Sequence, residues 1–473
     1  MTCGDTDPMP LDPELATSLA ALLGGRFSQA PSDRDLHGRD ESPYAAPPPD
    51  AVAWPLSTAE VSAIMALCHE HRTPVLAFGT GSSLEGHVLA VNGGLSLDLT
   101  RMDAILSISD EDLDCRVQAG VRRETLERAL GERGLLFGVD PGADATLGGM
   151  AATGASGTMT VRYGNMRANV LGLEAVLADG TVIRTGSRAR KSAAGYDLTG
   201  LIVGSEGTLA VITELTLRVH GMPDRIAAAR CSFETIGELV AAVIDIVRIG
   251  VPVARCDLID SLAMRAVNEH SGRREPERPT LFLEFHGARA AVDEEIEQVR
   301  SIADNHGGGE FAWASTPQER SAMWRARHQA YFAGRGLRPG ALPYTTDVCV
   351  PISALTEIIE LAAALASELP FPGPMVGHVA DGNFHCQLLV RDEPGERALA
   401  KEFVDALVVR AHALGGTCTG EHGIGLGKRD ALRAEVGEEG VEVMRQIKRA
   451  LDPLGLLNPG KVLVDAPEPA LAT

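Results

Sequence analysis

Apolar positions along this chain follow two rhythms, and the change between them comes close to Met222. Ahead of it, Ser57-Thr58-Ala59-Glu60 has the form of a capping box, and Val61, Ile64, Met65 and Cys68 follow at helical spacing, which predicts a helix. Residues 73–78 read as a buried strand, 95–99 and 115–118 as further strands, and 123–130 as an amphipathic helix. Strands at 173–177 and 181–184 flank Asp179-Gly180, a hairpin turn signal, and 204–217 runs from a glycine loop into a β-branched strand.

Beyond Met222-Pro223, apolar strands at 226–233, 251–257, 281–285 and 311–314 alternate with helices. One helix opens at Thr235-Ile236-Gly237-Glu238, another capping box, one spans 290–302, and one starts at Thr316-Pro317-Gln318-Glu319. This is α+β or α/β grammar, consistent with a second domain built on a sheet backed by helices, and α+β is the class expected. The first fifty residues read as a short helix and a Pro-rich arm at 43–49, and no internal repeat stands out.

A length of 473 residues implies more than one core, and 45% hydrophobic with 23% charged residues is the profile of a folded soluble protein. A formal charge of −21 argues against nucleic acid and against an anionic membrane surface as partners. An anionic substrate would then need a local positive patch from a metal or a buried arginine. The longest stretch free of Asp, Glu, Lys and Arg, residues 145–161, is rich in Gly, Thr and Ser, so no integral membrane segment is expected. Residues 1–11 carry Asp5 and Asp7 and no basic n-region, so no secretory signal is expected either. Eight cysteines without a CxxC pair fit reduced thiols and a cytoplasmic location.

Fifty-one glycines cluster in loops. In the first, Gly79-Thr80-Gly81-Ser82-Ser83, successive backbone N–H groups can form an anion nest, although a plain tight turn would leave the same trace. An NAD-type fingerprint would need this loop to open a helix, and the Val91-Asn92-Gly93-Gly94 that follows suits a turn between strands, so that reading is rejected. The second, 140–157, is a long loop or extended segment with no large side chain beyond Leu147 and Met150, which suits either a groove for a flat ring system or a surface loop. The third, Gly204-Ser205-Glu206-Gly207-Thr208-Leu209, precedes a strand.

These three segments in this order, with Lys191–Leu201 between the last two, resemble the FAD-binding domain of the vanillyl-alcohol oxidase / p-cresol methylhydroxylase flavoproteins. The likeness runs from about Pro47 to the C-terminus, and is greatest to the cytochrome-linked D-lactate dehydrogenases, less to glycolate oxidase and D-2-hydroxyglutarate dehydrogenase. It implies a two-part FAD-binding domain of the p-cresol methylhydroxylase type at 47–222 and a substrate- and metal-binding cap domain at 223–455. The N-terminal helix and arm would occupy 1–46, and the C-terminal return to the FAD domain 456–473. Gly79, Thr80, Gly81, Ser82 and Ser83 would hold the pyrophosphate; Pro141, Gly142, Thr146, Gly149, Thr153, Ser156, Gly157, Glu206, Gly207, Ile212 and Asn458 would line the rest of the cofactor. Some relatives tether flavin through a histidine in the first loop; Ser82-Ser83-Leu84 stands here, so non-covalent FAD is implied.

Two further motifs carry chemistry. If Asp381-Gly382 makes a two-residue hairpin turn, His378 and His385 face each other across it, with Cβ atoms ~4.5–5.5 Å apart, a spacing suited to one divalent metal. In Gly416–Gly425, neighbouring Glu421 and His422 would point in divergent directions, so that one ligates a metal while the other meets a substrate; a solvent-exposed loop is the alternative. The resemblance assigns His378, His385 and Glu421 to a divalent metal (zinc or manganese), His422 to the general base, and Arg327 to the substrate carboxylate. D-2-hydroxyglutarate dehydrogenases carry a lysine near the position of Thr345; its absence favours a monocarboxylate.

The expectation is flavin-dependent oxidation of a D-2-hydroxy acid, D-lactate first, with hydride transfer to FAD and metal-assisted deprotonation of the hydroxyl. The alternatives within catalysis are a glycolate oxidase-type subunit, a D-2-hydroxyglutarate dehydrogenase, or a metal hydrolase on the same His/His/Glu set. A non-catalytic flavin-bearing electron-transfer subunit is a further alternative. An electron acceptor (cytochrome c, quinone or an electron-transfer flavoprotein) is implied, attachment at the periphery of the inner membrane is compatible, and a homodimer stays open.

Overall fold

The computed structural model describes residues 11–272 and 274–463. Asp5, Asp7 and the rest of 1–10, and residues 464–473 of the expected C-terminal return, lie outside the described residues.

Short parallel and antiparallel strands build the first half. Phe27–Ser28, Ala51–Ala53, Leu95–Asp98 and Val75–Phe78 form one sheet in that order. Ile105–Ser109, Asp114–Gln118, Val211–Arg218, Val170–Val176 and Val182–Gly186 form a second, antiparallel sheet. Both sheets share one core, in which Val61, Ile64, Met65 and Cys68 of the helix Thr58–Glu70 are fully buried with Val75, Leu97, Val117 and Val211. The helix begins as its sequence demands, with Ser57 accepting from the Glu60 backbone N–H at 3.3 Å. The Glu60 carboxylate, however, accepts from Leu56 N–H and pairs with Arg26, so only half of the capping box closes. At Thr235 both halves close, and the helix Ile236–Arg248 follows.

The second half folds on an eight-stranded sheet, with Gly309–Ala314, Arg225–Ser232, Thr280–Gly287, Val253–Ile259, Met375–His378, Asn383–Val390 and Leu342–Thr345 in sequence and Val348–Cys349 beside Asn383–Val390. Helices Ile236–Arg248, Arg289–Asn305, Leu355–Ser367 and Pro394–Ala413 bury one face. Helices Ser261–Ser271 and Pro317–Gly336 pack on the other through Met264, Val267, Phe282 and Trp324. Covered on both faces, the sheet reads as near-continuous apolar runs, as in Thr280–Gly287. This is the expected α+β class with a helix-backed sheet.

Two local expectations are corrected. Residues 140–157 are not extended throughout: Leu147–Thr153 is a helix, ended by Gly154 at φ +67°. Its small residues let it lie against neighbouring backbone, since a Cβ on Gly148 would collide with Ala119. The hairpin at 381–382 also has a different register. Val379–Asp381 forms a 3₁₀ turn closed by Gly382 at φ +80°, so the turn takes four residues rather than two. His378 therefore pairs with Asn383, and His385 with Val376.

After the kinked helix Arg429–Leu451, the chain returns to the first half. Leu457 bridges Val75, Asn458 Nδ2 donates to the carbonyls of His87 and Glu206, and Lys461 Nζ donates to the Leu89 carbonyl. Among the described residues no helix is long and apolar enough to cross a membrane.

Candidate active site

One cavity of about 950 Å³ runs between the two halves. That volume is at the upper end of the roughly 300–1,000 Å³ of small-molecule sites. Its wall from the first half includes Gly79, Thr80, Gly81, Ser82, Ser83, Pro141, Gly142, Thr146, Gly149, Thr153, Ser156 and Gly157, then Glu206, Gly207, Ile212 and Asn458. Its other end is lined by Arg327, His378, His385, Glu421 and His422. All of the residues singled out from the sequence thus meet in one space.

The glycine loops suit a cofactor that lies against backbone. The strand Val75–Phe78 delivers Gly79 directly onto Thr146, so closely that a Cβ there would strike Thr146 Oγ1, and Gly81 adopts φ +65°. No helix follows this loop before the strand Leu95–Asp98, in keeping with the rejection of an NAD fingerprint.

At the other end, the revised register leaves His378 and His385 as diagonal neighbours on one face of the hairpin, their ring centroids 5.8 Å apart. His385 Nε2 lies 3.0 Å and His378 Nε2 3.7 Å from the same Glu421 oxygen. Each ring is fixed through its other nitrogen: His378 Nδ1 lies 2.9 Å from Asp257 Oδ1, and His385 Nδ1 donates to the Thr346 carbonyl at 3.0 Å. Two histidines held by Nδ1, with Nε2 converging on a carboxylate, are a group that could hold a metal ion. Burial alone would lower His378, but the Asp257 and Glu421 carboxylates hold it well above its ordinary value. Burial alone would raise Glu421, yet hydrogen bonds from both histidines hold it well below the usual carboxylate range.

His422 stacks on His385 with ring centroids 4.9 Å apart. Burial pushes its imidazole down to about 4, so it is neutral at pH 7. Arg327, on the helix Pro317–Gly336, lines the same end, with its Nε 2.7 Å from Asp257 Oδ2.

Several residues that shape the site escaped the sequence reading. Asp257 joins His378 to Arg327. Asp347 is fully buried and accepts from the backbone N–H groups of Glu421 and His422. Glu206 was named from the sequence as a cofactor-lining residue and does line the cavity, but the partners of its carboxylate were not foreseen: it accepts from Ile424 and Gly425 N–H and pairs with His87 at 2.9 Å. No lysine stands near Thr345 in the chain. Lys428 comes in from elsewhere, yet its Nζ is engaged by Glu85 and Asp347 and it does not line the cavity. A second convergent group, His412, Cys418 and Glu435, has its Glu435 carboxylate accepting from Cys418 N–H and the Thr417 hydroxyl.

Comparison with known proteins gives the family. The profile of the family described as FAD linked oxidases, C-terminal domain, matches residues 222–462, and that of the FAD binding domain matches residues 49–186. A probable mitochondrial D-lactate dehydrogenase of Danio rerio is 50% identical, over 91% of this chain and 87% of that protein. A mitochondrial cytochrome-type D-lactate dehydrogenase of Arabidopsis thaliana is 40% identical, over 95% of this chain and 80% of that one. In three dimensions the chain is similar to p-cresol methylhydroxylase with substrate bound, at a TM-score of 0.76 and 18% identity, over 95% of this chain and 96% of that one. The chain therefore has the fold of p-cresol methylhydroxylase and belongs to the FAD-linked oxidase family, where it groups with the D-lactate dehydrogenases.

Proposed function

We propose that this protein oxidises a D-2-hydroxy acid, D-lactate before others, to the 2-oxo acid. The observation that carries this reading is the meeting of the glycine-loop wall with the His378, His385, Glu421, His422 and Arg327 group in one cavity. FAD, held non-covalently by residues 79–83, 141–157 and 206–212 with Asn458, would supply the hydride acceptor, and a divalent ion (zinc or manganese) on His378, His385 and Glu421 would acidify the hydroxyl.

The protein's own part is to bind, orient and deprotonate. Arg327 offers the substrate carboxylate a guanidinium fork, steadied by Asp257, whose charge also steadies His378. His422, neutral and buried, takes the hydroxyl proton. Its stacking on His385 keeps it beside the metal ligands. Ala330, Pro374 and Val376 line the cavity together with Arg255, Arg335 and Gln387, and it is the absence of a lysine near Thr345 that favours a monocarboxylate. The acceptor of the electrons is cytochrome c, a quinone or an electron-transfer flavoprotein. We retain the cytoplasmic placement, at most peripheral to the inner membrane, as a proposal; the two relatives named above are mitochondrial by name, and cell fractionation decides.

Turnover of the purified chain with an artificial acceptor tests the substrate. D-Lactate giving the highest kcat/KM supports the reading, and preference for glycolate or D-2-hydroxyglutarate replaces it with one of those activities.

A further inference from the structure

The loop that carries Glu421 and His422 has glycines at 416, 420, 423 and 425, and Cys418 and Ile424 bury their side chains in the core of the second half. Between them its backbone makes a series of donations to carboxylates from both halves of the molecule. Glu421 and His422 donate to Asp347 Oδ2 at 3.0 and 2.8 Å, and Thr419 Oγ1 donates to the same oxygen at 2.6 Å. Two residues on, Ile424 donates to Glu206 Oε1 at 2.6 Å and Gly425 to Glu206 Oε2 at 2.8 Å. Asp347 follows the strand Leu342–Thr345 of the second half, whereas Glu206 sits in the third glycine loop of the first half. Both are buried, at 1% and 6% exposure.

We propose that Asp347 and Glu206 are positioning residues that bracket this loop and set its register across the cavity between the two halves. The Glu206 carboxylate then acts on the reaction through the loop, while the residue remains part of the cofactor wall. Its backbone, at φ +56°, lines the cavity, while its carboxylate is spent on Ile424, Gly425 and His87. Gly423 fits between these groups because a Cβ there would press on Glu206 Oε1 and His87 Nε2. Charge-assisted donations to a buried carboxylate are strong and directional, and replacing one carboxylate oxygen by an amide nitrogen turns one acceptor into a donor facing an N–H. A shift of the loop by about 1 Å is enough to lower the rate ~100-fold. The catalytic consequence rests on the function proposed above; the bracket itself does not.

Glu206→Gln and Asp347→Asn test this in the flavin-loaded protein, with hydrogen exchange read by mass spectrometry over peptides spanning residues 416–428. In the wild type the amides of Glu421, His422, Ile424 and Gly425 exchange slowly. Glu206→Gln speeds exchange selectively at 424–425, and Asp347→Asn at 421–422. Flavin content stays stoichiometric in Glu206→Gln, the limiting rate of flavin reduction by D-lactate falls ~100-fold, and substrate affinity changes by less than about threefold. Glu206→Asp, which keeps the charge at shorter reach, recovers part of the rate and serves if the glutamine variant does not fold. Unchanged exchange in the loop, or loss of flavin from Glu206→Gln at wild-type loop protection, overturns the proposal. A wild-type flavin that D-lactate leaves oxidised would overturn the proposed function while leaving the exchange result to stand or fall alone.

Discussion

The carboxylate of Asp257 lies 2.9 Å from His378 Nδ1, and its second oxygen lies 2.7 Å from Arg327 Nε. One buried side chain thus orients a metal-ligand candidate and the candidate substrate anchor together. Burial alone would raise its pKa, but the neighbouring His378 and Arg327 charges hold it below the usual value, so it is an anion at every working pH.

Asp257→Asn removes that charge from both partners. Metal affinity is expected to fall ~10–100-fold, the range for loss of an outer-shell carboxylate on a ligating histidine, with a rise in KM. Competition with a chelator of known affinity measures the first effect. Exhaustive chelation of the wild type abolishes turnover while the protein stays yellow; a fully active, metal-free protein contradicts the ligand assignment.

His422→Ala keeps flavin and metal but loses the proton acceptor. A drop in kcat of about 10²–10⁴ is expected, with flavin absorbance and metal content as in the wild type. Near wild-type activity removes His422 from the base role.

Arg327→Lys retains the charge but not the fork. A fall in kcat/KM of ~10–100-fold for D-lactate is expected, equivalent to losing a charge-assisted hydrogen bond of about 1.5–3 kcal/mol. Steady-state kinetics measure it, and an unchanged KM argues against contact with the substrate carboxylate.

The N-terminal arm supplies a pH prediction away from the active site. His37 Nε2 lies 2.9 Å from Asp98 Oδ2, which also accepts from Trp54 Nε1. Burial alone would lower His37, but the hydrogen bonds to Asp98 and the Asp33 carbonyl, with the charges of both carboxylates, together outweigh it and raise the value above 6.5. Burial works against Asp98 as well, and His37 and Thr100 lower it below 3.8. The His37 contribution is therefore complete below pH 6.5 and is lost as pH rises through the raised value. The Asp98 contribution is present above pH 3.8 and is lost as pH falls through the lowered one. Thermal unfolding of wild type against His37→Gln is expected to differ most between about pH 4 and 6.5 and to converge above that window.

The legible features of this chain were local ones. The capping box at Thr235–Glu238 and the run Val61, Ile64, Met65, Cys68 each state their element within a single turn or two. The helix Leu147–Thr153 was hidden because its glycines and alanines carry little periodic apolar signal; close packing against Ala119 makes it a helix, and that is a tertiary fact. The His378/His385 register failed for a different reason. Asp381-Gly382 resembles a two-residue turn, but Gly382 instead closes a 3₁₀ turn begun at Val379. Asp257, Asp347 and the Glu206 carboxylate were silent because their partners lie 72 to 219 residues away for the loop contacts and 121 for His378.

Anaerobic mixing of the purified yellow protein with D-lactate, followed at the flavin absorbance, tests the central claim most directly. Bleaching by D-lactate, with L-lactate far slower, is the predicted result. A flavin that stays oxidised with D-lactate, or a protein that carries no flavin and takes up none when it is offered, contradicts it.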